Sequence, residues 1–65
     1  MRECTAAVVV NYNDSETTLA QIRRIRDYAA LDRIIVVDNA STDRSLAALR
    51  AVAGGKVTVL AAKRN

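Results

Sequence analysis

The chain has no histidine, proline, phenylalanine or tryptophan, a single cysteine, and only two glycines, adjacent at Gly54 and Gly55. Without histidine there is neither a His-ligated zinc site nor a Ser-His-Asp triad. One cysteine closes no internal disulfide, and Cys4 is expected to pack near the start of a strand. With large rings almost absent, a core must be built from Val, Ile, Leu and Ala. No apolar stretch approaches the roughly 20 residues of a membrane span, and the N-terminus lacks the charged-then-apolar order of a signal peptide, so a cytoplasmic setting is expected.

Charge narrows the reading only slightly. Ten Lys and Arg against seven Asp and Glu leave +3, a weak bias toward anionic ligands. The cations are scattered from Arg2 to Arg64 and there are few aromatics to stack bases, which argues against nucleic acid as a partner. At 65 residues the chain is at most one small domain, burying on folding only roughly 60% of the surface its unfolded form exposes.

What is present is an alternation of apolar runs and polar loops. Residues 5–10 form a short uninterrupted apolar run suited to a strand buried on both faces. Turn formers follow, with Asp14 or Ser15 placed to cap a helix over residues 16–29, whose stripe is Leu19, Ile22, Ile25 and Ala29. Glu16 near its start and Arg24 and Arg26 toward its end suit the helix dipole. Ile34-Ile35-Val36-Val37 reads as a second strand. Ser41 or Thr42 then caps a second helix with Asp43 in its first turn, a stripe of Leu46, Leu49 and Val52, and Gly54-Gly55 to close it. Residues 56–61 read as a third strand.

Strand, helix, strand, helix, strand at this spacing predicts an α/β fold, a β-α-β-α-β unit with a three-stranded parallel sheet. Parallel sheets are covered on both faces, whereas two crossovers of one hand place both helices on one side or leave an edge unpaired. Residues 1–65 are therefore expected to be a single partial domain, covered by more protein or by a partner chain, a second copy included.

Ligands of open α/β sheets bind beyond the carboxyl ends of the strands. Here that rim carries Asn11-Tyr12-Asn13 after the first strand and Asp38-Asn39-Ala40-Ser41-Thr42-Asp43 after the second. The Gly-x-Gly-x-x-Gly of dinucleotide-binding domains and the Gly-x-x-x-x-Gly-Lys of phosphate-binding loops are both absent. That shifts the expectation to a nucleotide whose base and ribose are held by side chains. Asp38 is the first candidate, with bracing of its own loop as the alternative role.

Val8-Val9-Val10-Asn11-Tyr12-Asn13 and Ile34-Ile35-Val36-Val37-Asp38-Asn39-Ala40-Ser41-Thr42-Asp43 resemble the opening of family 2 glycosyltransferases. The resemblance covers nearly the whole chain and implies the N-terminal part of a Rossmann-like nucleotide-diphospho-sugar transferase fold. It implies that Tyr12 packs against the base, that Val10 and Asn11 offer it backbone groups, and that Asp38 accepts a hydrogen bond from the base N3–H. Arg64, assisted by the charge of Lys63, stands where a basic residue reaches the nucleotide. Asn39, where many members have a second Asp, resembles rhamnosyl- and galactofuranosyl-type transferases and leans the donor toward a UDP- or dTDP-sugar.

The family's divalent metal, Mg or Mn, is held by an Asp-x-Asp motif after a later strand, and its base is a further downstream carboxylate; neither is in this sequence. No catalytic residue or metal ligand is therefore expected within the chain, which alone should not transfer sugar. The resemblance implies an acceptor glycan or lipid-linked glycan for the parent enzyme, as in polysaccharide or cell-wall biosynthesis. The rival is a non-enzymatic α/β regulatory or interaction module that dimerises through its open sheet.

Overall fold

The structure, a computed structural model, describes residues 4–63. It contains β1 (Ala6–Asn11), α1 (Ser15–Ile25), β2 (Arg33–Asn39), α2 (Ser45–Arg50) and β3 (Val57–Ala62). The strands form one parallel sheet in the order β1-β2-β3, as the alternation of runs predicts.

Side chains alternate across a strand, so the register sorts them into two faces. Ala7, Ile34 and Val57 form one row, Val9, Val36 and Val59 the next, and Asn11, Asp38 and Ala61 the last. These rows face the helices. Ile22 of α1 and Leu49 of α2 close over Ile34, Val36 and Val57, with Leu19, Ile25, Leu31, Val52 and Val59 packed around them. Fully burying such a side chain is worth about 1.5–3 kcal/mol.

The opposite rows, Val8 with Ile35 and Val10 with Val37 and Leu60, have no helix over them. Val8 is 65% exposed and Val10 63%, so β1 is buried on one face and not on two. Two successive crossovers of one hand in the order β1-β2-β3 lay both helices on the same side, where α1 and α2 touch each other.

The element ends show where local pattern yields to tertiary contacts. Asp14 caps α1, its carboxylate accepting from the Thr17 N–H at 3.3 Å. The helix stops at Ile25, short of Ala29, because the chain turns through Tyr28 N–H to Ile25 O and Leu31 N–H to Tyr28 O. Lys56 Nζ fixes that turn by donating to the carbonyls of Tyr28 and Leu31 at 2.9 and 3.0 Å. Likewise α2 begins only at Ser45, since Ser41 and Thr42 are drawn into the loop before it.

Gly54 and Gly55, both at positive φ (133° and 55°), form the turn into β3, with Gly54 and Val57 exchanging two backbone bonds of 2.9 Å. At the start of β1, Cys4 is exposed and does not pack. The tie there is the Thr5 N–H, which donates to Asp32 Oδ2 at 2.8 Å.

Candidate functional site

Because Asn11 and Asp38 are partners in the β1–β2 register, the two strands end level and deliver their loops side by side. Both residues belong to the helix-facing rows, so both point inward; Asp38 is 2% exposed and Asn11 1%. A carboxylate buried to this degree must be hydrogen-bonded. Asp38 Oδ1 accepts from Asn11 Nδ2 at 2.9 Å and from the Ser41 hydroxyl at 2.5 Å, and Oδ2 accepts from the Ser41 N–H at 3.1 Å. Asn11 Oδ1 in turn accepts from the Thr18 hydroxyl at 2.6 Å, tying α1 to the same network.

Burial by itself would raise the Asp38 pKa. The bonds from the Ser41 hydroxyl, the Asn11 amide and the Ser41 N–H together outweigh it and hold the carboxyl below its ordinary value. Asp38 is thus a buried anion stabilised by donors from the end of β1 and from the loop after β2.

A second set of bonds lies above the first. Asn13, in the left-handed region at φ 50°, receives the N–H groups of Thr42 and Asp43 on its Oδ1 at 2.7 and 3.2 Å. Its Nδ2 donates to the Thr42 hydroxyl at 3.1 Å, and its backbone N–H to the Ser41 hydroxyl at 2.9 Å. Asp43 Oδ1 accepts from the Ser45 N–H at 2.8 Å. The N–H groups of Ser41, Thr42, Asp43 and Ser45 all end on side-chain oxygens, so none of them is free to cradle a phosphate.

The residues singled out in the sequence divide accordingly. Tyr12 is 49% exposed, just beyond the end of β1. Val10 turns its side chain to the open face of an edge strand, whose outer row of backbone groups has no strand partner among the described residues. Asn11 and Asp38 form the floor beneath. The bracing role weighed for Asp38 is what its three donors display. Lys63 is exposed, and Arg64 lies outside the described residues.

The sequence motifs left Thr18 aside and gave Asn13 no role of its own, yet both take part in the network. Asn39 follows Asp38 and so turns to the opposite face, half-buried, with no hydrogen-bond partner for its side chain among the described residues. The signal was the period of two counted from Ile34, which sends Asp38 inward and Asn39 outward. An unbroken apolar run concealed it.

The donor set does not fit a divalent metal. Asp38 is engaged by three donors and Asp43 by the start of α2, and among the described residues no group of three or more His, Cys, Asp or Glu converges. No helix of the described residues is long and apolar enough to cross a membrane.

Parallel strands whose level carboxyl ends carry a rim of amides, hydroxyls and one aromatic ring define the opening unit of a Rossmann-like α/β fold. The family model described as Glycosyl transferase family 2 matches residues 6–65, and the chain belongs to that family. No curated protein and no solved structure matches it.

Proposed function

We propose that this chain is the nucleotide-binding segment of a family 2 glycosyltransferase, holding the nucleoside diphosphate of a UDP- or dTDP-sugar at the carboxyl ends of β1 and β2. The observation that carries the reading is the placement of the half-exposed Tyr12 directly after the buried Asn11–Asp38 pair, within a chain of this family. Tyr12 offers a ring for a base, and the outer backbone groups near Val10 and Asn11 offer hydrogen bonds. In this reading Asp38 serves from beneath the rim, fixing Asn11 and Ser41, and does not meet the base from the surface. Arg64, and Lys63 by charge, approach the diphosphate.

The parent enzyme transfers the sugar to an acceptor hydroxyl on a glycan or lipid-linked glycan. Its divalent metal and its base are supplied by residues outside this chain, and the bare sheet face of Val8, Val10 and Leu60 is covered there by further protein.

Calorimetric titration of UDP and dTDP against the chain and its Tyr12→Ala and Asp38→Ala variants tests the reading. Binding that weakens in both variants is expected, with circular dichroism checking that each remains folded. A wild-type chain that takes up neither nucleotide contradicts it. The same bare face favours a second reading, an interaction module that self-associates; a concentration-dependent dimer with no nucleotide affinity would select it.

A further inference from the structure

We infer that Asn13 is a positioning residue for Tyr12 and the nucleotide rim, clasping the loop after β2 to the loop after β1. The inference rests on the nucleotide-binding reading above.

An asparagine at positive φ usually needs no explanation beyond the turn it makes, because its side chain bonds to its own backbone nearby. Here the side chain goes elsewhere. Every bond Asn13 makes to the second loop spans 28 to 30 positions: to the Ser41 hydroxyl, the Thr42 N–H and hydroxyl, and the Asp43 N–H. On the other side of Tyr12, Asn11 reaches the same loop through Asp38 Oδ1 at 2.9 Å and the Ser41 hydroxyl at 3.3 Å. The exposed ring is therefore bracketed by two asparagines whose side chains are both anchored on residues 38–43.

The two anchors differ in what they control. Asn11 is buried, so its bonds bear on folding. The Asn13 bonds are exposed, and water replaces each of them at small net cost. Their effect is on where the loops sit, which is the condition for a pre-organised site. Asn13 should accordingly separate affinity from stability.

Two variants isolate the clasp. Asn13→Gly keeps the left-handed backbone and removes the carboxamide. Asn13→Asp keeps an acceptor for the Thr42 and Asp43 N–H groups, and the Thr42 hydroxyl turns to donate to it. Amide hydrogen exchange on the intact chain reads the clasp without any ligand, and calorimetry with UDP reads the site.

In Asn13→Gly, exchange at Thr42 and Asp43 should accelerate and UDP affinity should fall, each on the order of tenfold. The urea midpoint should stay close to wild type. Asn13→Asp should hold both quantities within about threefold of wild type. Unchanged exchange in Asn13→Gly would overturn the clasp. Faster exchange with unchanged UDP affinity would overturn the positioning role and leave the nucleotide reading standing. A wild-type chain that binds no UDP while Thr42 and Asp43 still respond would remove the nucleotide reading and this role with it.

Discussion

Asn11 and Asp38 sit opposite each other at the ends of two parallel strands, and the amide of one donates to the carboxylate of the other at 2.9 Å inside the protein. That bond joins the loops after β1 and β2 from below. Replacing Asn11 by Leu, of similar size, would leave the carboxylate with one donor fewer and the Thr18 hydroxyl without its acceptor. A loss of about 3 kcal/mol is expected, since each is a buried polar group left short. Urea denaturation measures it; a loss below about 1 kcal/mol would show that the pair is not structural.

Acid should loosen the same network. The folded-state pKa of Asp38 is depressed, so its contribution is fully present above the unfolded value of about 3.9 and is lost as pH falls through the lower folded value. Below both values the group is protonated in either state and contributes nothing. Urea midpoints taken from pH 6 down to pH 2 should therefore fall more steeply for wild type than for Asp38→Asn, which carries no titrating group there. Parallel curves would contradict the assignment.

How much of this was legible beforehand depends on whether the cause is local. Asp14 as a cap, the Ile22 stripe and the strand of Ile34 and Val36 follow from short-range rules and stand as expected. Helix α1 ends early because Lys56 holds the Tyr28 and Leu31 carbonyls, and α2 starts late because Asn13 and Asp38 claim the loop before it. Lys56 and Asn13 lie tens of residues away from the ends they set, beyond the reach of any local pattern. The rim was visible as two polar loops, but the depth of Asp38 was hidden because Ile34-Ile35-Val36-Val37 shows no polar alternation.

Ala40 is held at φ 56°, in the left-handed region that costs an alanine roughly 1–2 kcal/mol. Ala40→Gly relieves that cost and gives part of it back as unfolded-chain entropy. A net gain of up to about 1 kcal/mol in urea is expected, with loop bonds to Ser41 intact. A variant less stable than wild type would mean that the loop does not hold this conformation in solution.

Lys56 supplies a further check on the packing between distant segments. Lys56→Met keeps the apolar stem and removes both bonds to the Tyr28 and Leu31 carbonyls. Because one bond is exposed and the other part-buried, a loss of only about 1 kcal/mol is expected. Faster amide exchange at Leu31, without change at Thr42, would localise the effect to the far end of the sheet from the rim.

The most direct test of nucleotide binding is amide chemical-shift mapping of the chain titrated with UDP. Shifts are expected to concentrate at Val10, Asn11, Tyr12, Asn13 and residues 38–42, with Asp32, Gly54 and Lys56 at the opposite end unmoved. Shifts spread over the open face of Val8, Ile35 and Leu60 with the rim unmoved, or no shifts at all, would contradict a nucleotide site at the carboxyl ends of β1 and β2.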